Sequence, residues 1–169
     1  RRATVQNFLR ELLSSRGYRV IDTPLLEPTE LFLRKSGGEL ATRMYTFTDP
    51  GGNNVSLRPE FTSSAIRYYL ERAGTETLPL RLQYGGPVFR YDETQGYKQF
   101  HQTGAEIIGA ADPGSDGEVL AMALEGLSLM ESPSPTCIVG HVGVLHLILE
   151  EIGISHRAQA FLIASISRL

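Results

Sequence analysis

Apolar residues recur at Val5, Phe8, Leu9, Leu12 and Leu13. That is the spacing of one helical face, and it predicts an amphipathic helix from Ala3 to Arg16, stopped by Gly17. The pattern then shortens. Tyr18–Ile21 predicts a strand, ended by Thr23-Pro24, because the residue before a proline avoids the helical region. Pro28 opens one or two helical turns over Glu30–Arg34. Lys35–Arg43, with the pair Gly37-Gly38, predicts a loop. Met44–Phe47 and Asn54–Arg58 predict strands joined by a turn at Asp49-Pro50-Gly51-Gly52-Asn53. Thr62–Arg72 predicts a helix with Ala65, Ile66, Tyr69 and Leu70 inward.

Leu78–Tyr84 predicts another strand, from which Gly85-Gly86-Pro87 leads into a hairpin. That hairpin, Pro87–Glu106, reads as two antiparallel strands joined by a polar loop, the second running on to Gly109. Asp112–Asp116 caps a helix over Gly117–Met130 whose stripe is Val119, Leu120, Ala123, Leu124 and Leu127. After a loop at Ser132–Pro135, Thr136–Gly140 predicts a buried strand, and Val144–Ile152 and His156–Ser167 predict helices. No repeat, low-complexity run or linker interrupts the chain. The expectation is one α+β domain over residues 1–169, built on an antiparallel sheet.

Composition narrows the function classes. The 169 residues are 41% hydrophobic and 21% charged, with a net charge of -3. The chain is therefore not a general polyanion binder, and any nucleic-acid contact is local or lies on a part outside these residues. Cys137 is the one cysteine, in the apolar run Thr136–Val139, and reads as a buried small hydrophobe rather than a nucleophile. No apolar run reaches the length of a membrane span and no signal-peptide pattern opens the chain, so a cytoplasmic location is expected. The chain opens on Arg1 rather than a methionine, which suggests that its ends are cut. The four histidines have no metal-ligand spacing, and no metal site is expected. Phosphate-binding loop, dinucleotide fingerprint and serine-hydrolase elbow are all missing.

The candidate chemistry sits on the hairpin and on the run Leu57–Thr62. Arg90 offers a planar, permanently charged fork suited to a phosphate, or else closes a surface ion pair with Asp92 or Glu93. Phe100 belongs to the core or stacks on a flat base. Gln102 and Glu106 are four apart, so on a strand both face one side, while Thr103 and Ala105 face the other. A glutamate facing a pocket needs a cationic or donor partner; on a solvated face it needs none. Glu60 and Thr62 place an acid and a hydroxyl at a strand-to-helix junction. There Thr62 serves as an N-cap and Glu60 as a first-turn acid, or both face a ligand.

Three blocks carry a resemblance. Arg58-Pro59-Glu60-Phe61-Thr62, Phe89-Arg90-Tyr91-Asp92 and Gln99-Phe100-His101-Gln102-Thr103-Gly104-Ala105-Glu106 closely resemble the catalytic core of histidyl-tRNA synthetases, which are class II aminoacyl-tRNA synthetases. The opening helix and Thr23–Glu27 resemble class II motif 1, the family's dimer interface, and the hairpin resembles motif 2. The resemblance implies an antiparallel sheet of six or more strands flanked by helices, acting as a homodimer. It implies that Arg90 binds the α-phosphate of ATP and is catalytic, that Asp92 contacts the adenine end, and that Phe100 stacks on adenine. It implies that Glu60, Thr62, Gln102 and Glu106 bind histidine, with magnesium accompanying ATP and tRNA as acceptor.

Two departures from the family pattern stand out. The loop Glu93-Thr94-Gln95-Gly96-Tyr97 is short, with Lys98 at the second basic position, so one loop arginine is missing. Motif 3, with its ATP-binding arginine, and the anticodon-binding domain are not found within residues 1–169. Two functions follow from the resemblance: a histidine-tRNA ligase that forms histidyl-adenylate, or the non-charging, histidine-sensing regulatory subunit of ATP phosphoribosyltransferase, whose partner is that enzyme's catalytic subunit.

Overall fold

The computed structural model describes residues 2–34, 38–92, 98–129 and 135–166. Helix α1 (Arg2–Ser15) ends at Gly17, whose φ of 82° suits a residue without Cβ. Strand β1 (Arg19–Val20) follows, then β2 (Leu26–Pro28) and helix α2 (Thr29–Leu33). The segment expected to be a loop holds a short helix, α3 (Gly38–Thr42), because Glu39-Leu40-Ala41 are good helix formers behind the glycine pair. Residues 35–37 lie outside the described residues.

Strands β3 (Thr46–Thr48) and β4 (Asn54–Leu57) form the expected hairpin, with Gly52 at φ 84° and the Asp49 carboxylate accepting the Asn53 amide at 2.9 Å. Helix α4 (Thr62–Leu70) buries Ala65, but Leu70, expected inward, is exposed. Strand β5 (Leu80–Phe89) and strand β6 (Gln99–Ile108) are the expected antiparallel pair, running from Leu80 opposite Ile108 to Phe89 opposite Gln99. Gly85-Gly86-Pro87 is not a lead-in; it is interior to β5. A Cβ on Gly86 would lie 2.6 Å from Nη2 of Arg58, so glycine here makes room for a buried guanidinium rather than a turn.

The single sheet of six or more strands is not what forms. Six strands among the described residues make two three-stranded sheets, β1-β5-β6 and β2-β4-β3, and β1 runs parallel to β5. The sheets meet through Arg58, just after β4. Its guanidinium is buried, lies 4.0 Å from the Phe61 ring centroid, and donates to the carbonyls of Pro87 and Thr23 at 2.9 and 2.6 Å. Burial of that cation is tolerable because its donors are satisfied by fixed carbonyls.

Helix α5 (Pro113–Leu129) starts before the expected Gly117, and the Asp112 carboxylate caps it by accepting the Ser115 amide at 3.1 Å. Its buried hydrophobic side chain is Met122, against Leu13 and Tyr18, whereas Val119, Leu120 and Leu127 of the expected stripe are exposed. Glu118 of the same helix accepts Arg81 and Tyr18, tying α5 to β5 and to the end of α1.

The chain divides into two compact units, residues 1–133 and 134–169. In the second, Thr136–Gly140 is not a buried strand. It makes no ladder among the described residues, Ile138 is 90% exposed, and Cys137 is exposed rather than buried. β-branched residues favour a strand only where a neighbour supplies hydrogen bonds. Helices α6 (Val142–Glu151) and α7 (His156–Ile166) match expectation and are joined by buried Gln159, which faces His146 Nδ1 at 3.0 Å.

Candidate functional site

The β5–β6 register decides which side chains share a face. Directly opposed residues of an antiparallel pair point the same way. Leu82 opposes Glu106, Tyr84 opposes Gly104, Gly86 opposes Gln102, and Val88 opposes Phe100. These residues share the face covered by Phe61 and Ala65 from the start of α4. His101, Thr103 and Ala105 share the other, where Ala105 and Ile107 pack on Leu13, Tyr18 and Met122.

At the centre of the first face is one carboxylate oxygen with two donors. Glu106 Oε1 accepts Thr62 Oγ1 at 2.8 Å and Tyr84 Oη at 3.0 Å. The solvated-face alternative for Glu106 therefore does not describe it. Tyr84 stacks on Phe61 with centroids 4.5 Å apart, and its hydroxyl is pushed up from the usual range by burial and by the Glu106 charge. Gly104 is needed opposite it: a Cβ there would meet Tyr84 Cε2 at 2.6 Å. The amide oxygen of Gln102, two residues from Gly104, is buried without a hydrogen-bond partner. A buried acceptor of that kind calls for a donor.

The strand-to-helix junction supplies the rest of this wall. Thr62 is not the N-cap. Phe61 holds that position without a side-chain bond, and the Glu60 carboxylate accepts the Ser63 amide at 3.0 Å. The acid thus satisfies an open helix N–H and leaves the Thr62 hydroxyl to Glu106.

Arg90 follows the end of β5. Its Nε donates to the Pro59 carbonyl at 2.8 Å, and its guanidinium carbon lies 5.1 Å from the Phe100 ring centroid. Held by Nε, the planar fork has no hydrogen bond from its terminal nitrogens among the described residues, and that geometry can offer both to an anion. Phe100 is 39% exposed, a ring on the rim rather than in the core. Asp92 does not pair with Arg90. Its Oδ2 accepts Arg43 Nη2 at 2.7 Å, while Arg43 Nε donates to the Tyr91 carbonyl and the Tyr91 amide donates to the Arg43 carbonyl. Glu93 and the rest of the loop through Tyr97 lie outside the described residues.

Glu60, Thr62, Gln102 and Glu106 are thus gathered on or beside one sheet face, with Arg90 and Phe100 against each other at its far end. Three participants were missed by sequence reasoning. Tyr84 shares the parity of Leu80 and Leu82, and that signal marks it as inward-facing. Arg58 stood in the motif with no role assigned. Arg43 had no local signal, because its partner is 49 positions away. Among the described residues no group of three or more His, Cys, Asp or Glu could hold a metal ion, and no helix is long and apolar enough to cross a membrane.

A family model described as histidyl-tRNA synthetase matches residues 1–169. The chain is similar to the histidine–tRNA ligase of Methanocaldococcus jannaschii, 39% identical over 161 residues that cover 94% of this chain and 38% of the relative. It therefore spans well under half of the curated relative's length. A crystal structure of a histidine–tRNA ligase subunit from Alicyclobacillus acidocaldarius is similar at TM-score 0.77 and 27% identity, covering 96% of this chain and 47% of that one. The Bacillus halodurans C structure described as an ATP phosphoribosyltransferase regulatory subunit/histidyl-tRNA synthetase is similar at TM-score 0.68 and 31% identity, covering 75% of this chain and 33% of that one.

Proposed function

Because this chain belongs to the histidyl-tRNA synthetase family, we propose that its β5–β6 face is the histidine-activating part of a histidine–tRNA ligase. The carrying observation is the Thr62–Glu106–Tyr84 cluster beside the unpartnered oxygen of Gln102. Glu106 Oε1 is held by two hydroxyls, and its second oxygen remains for a nitrogen donor. Histidine brings an α-ammonium and ring N–H groups, and its imidazole matches a pocket of acceptors at fixed positions. Glu60 adds a second acid and Thr62 a hydroxyl that fixes the first. Gln102 supplies the directional acceptor.

ATP binds, in this reading, with its adenine against Phe100 and its α-phosphate on Arg90; Asp92 lies toward the adenine end. Magnesium arrives on the phosphates. A carboxylate oxygen of histidine attacks the α-phosphorus, the bond to the bridging oxygen of the β-phosphate breaks, and pyrophosphate leaves. Arg90 stabilises the charge that gathers on the α-phosphate oxygens, with little rearrangement because Pro59 already holds its Nε. The histidyl-adenylate then passes to tRNA. That transfer belongs to the whole protein, acting as a homodimer in the cytoplasm.

A second reading has its own support. The similarity to the Bacillus halodurans C structure and the Arg43–Asp92 ion pair, which engages the acid assigned to adenine, suit a histidine-sensing regulatory subunit of ATP phosphoribosyltransferase. Such a subunit partners the transferase's catalytic subunit. Histidine-dependent ATP–pyrophosphate exchange by the whole protein separates the two. The ligase reading expects exchange. Saturable histidine binding without exchange supports the regulator instead.

A further inference from the structure

Glu106 has both of its donors on one oxygen. Thr62 and Tyr84 donate to Oε1 at 2.8 and 3.0 Å, and among the described residues nothing donates to Oε2. A carboxylate oxygen has about two lone-pair sites. Oε1 is therefore full, and Oε2 is open. The two donors come from different parts of the fold. Thr62 opens α4, whereas Tyr84 lies across the β5–β6 ladder, opposite Gly104 and so diagonal to Glu106.

Tyr84 cannot easily turn away from this bond. Its side chain is buried, and its ring stacks on Phe61 with an interplanar angle of 8°. Phe61 is buried in turn, against the guanidinium of Arg58. The Tyr84 hydroxyl stands 2.7 Å from where a Cβ on Gly104 would be, so glycine at that position is what admits it. Burial, and then the Glu106 charge, pushes ionisation of the hydroxyl up, and it stays a donor.

We propose that Tyr84 is a positioning residue that sets the ligand specificity of this site. By filling Oε1, its hydroxyl leaves Glu106 with a single acceptor oxygen. One oxygen suits one N–H of an imidazole. It does not suit a guanidinium, whose paired N–H groups seek both oxygens of a carboxylate at once. Without the Tyr84 hydroxyl, Oε1 regains an acceptor site and the carboxylate can take such a fork. The selectivity comes from a donor that closes an acceptor against the wrong ligand, not from a contact with the right one. The proposal rests on the histidine reading above and deepens it. That reading needs Glu106 alone; this one also needs its hydroxyl partner.

Calorimetric titration of the whole protein with L-histidine, and displacement of that histidine by L-β-guanidinoalanine, tests it. The second ligand carries a guanidinium on the same single methylene group that carries the imidazole of histidine, so the two differ little in reach. Tyr84→Phe keeps the ring on Phe61 and removes only the hydroxyl. It should lower the preference for histidine over the guanidinium ligand by about tenfold or more, the scale of one hydrogen bond to a charged group. In Glu106→Gln, which has no carboxylate for a fork, adding Tyr84→Phe should move that preference by less than about twofold. A preference unchanged by Tyr84→Phe would overturn the proposal. So would an equal loss in both backgrounds, which marks a packing effect, or a guanidinium ligand that displaces histidine from neither wild type nor Tyr84→Phe. Each of those outcomes leaves Glu106 as the anchor of histidine. Equal histidine affinity in wild type and Glu106→Gln would instead overturn both the proposal and the reading beneath it.

Discussion

The hydroxyl of Thr62 donates to Oε1 of Glu106 at 2.8 Å, joining the first residue of α4 to a strand 44 positions later. The bond aims the carboxylate and leaves its second oxygen for a ligand. Thr62→Val keeps the shape and removes the donor. It should lower histidine affinity about tenfold, since a hydrogen bond to a charged group contributes roughly 1.5–3 kcal/mol. Titration calorimetry against wild type measures this, with far-ultraviolet circular dichroism to check the fold.

Arg90 and Glu106 have separable tasks. Arg90→Ala should cut histidine-dependent ATP–pyrophosphate exchange by about 100- to 1,000-fold, the scale of losing one preorganised donor at a developing charge. Histidine affinity should stay within about twofold of wild type, because Arg90 rests on Pro59 and Phe100 rather than in the Glu106 cluster. Exchange that survives the substitution would remove Arg90 from the phosphate.

Gly104 tests the packing behind the cluster. Its Cβ would press on the Tyr84 ring, which is stacked on Phe61 and has no easy retreat. Gly104→Ala should destabilise the fold by about 1–3 kcal/mol, the usual cost of overpacking. It should also weaken histidine binding by displacing the Tyr84 hydroxyl. Thermal unfolding and calorimetry on the same sample read both effects.

Acid stability should report Glu118. Arg81, and then Tyr18, holds its carboxyl down to about 2 from the usual 4.5. A carboxyl whose folded value is depressed stabilises the fold above its unfolded value, and that contribution fades as pH falls from about 4.5 towards 2. The melting temperature of wild type should therefore fall through this window. Glu118→Gln should start lower at neutral pH and fall less steeply. Parallel curves for the two proteins would contradict the assignment.

Much of the site was legible because strand period and motif order are local. Period two put Gln102 and Glu106 on one side, and the register confirms it. The Asp49–Asn53 turn and the two closing helices were legible for the same reason. What failed depended on partners far along the chain. Gly85-Gly86-Pro87 has turn composition, yet it stays in strand because β6 pairs along its length and Arg58 fills the space beside Gly86. Thr136–Gly140 has strand composition, yet no ladder forms there among the described residues. Thr62 looked like a cap because caps are threonine-rich; that its hydroxyl turns to Glu106 is settled by a tertiary contact. Arg43 and Asp92 carry no sign in the sequence that they meet.

The central claim is that Glu106 anchors histidine, and both functional readings need it. Titration of L-histidine into the whole protein and into Glu106→Gln is the most direct measurement. Saturable binding by wild type, weakened about 30-fold or more in the variant as expected for loss of a partly buried charge partner, is the predicted result. Equal affinity in the two proteins would contradict the account.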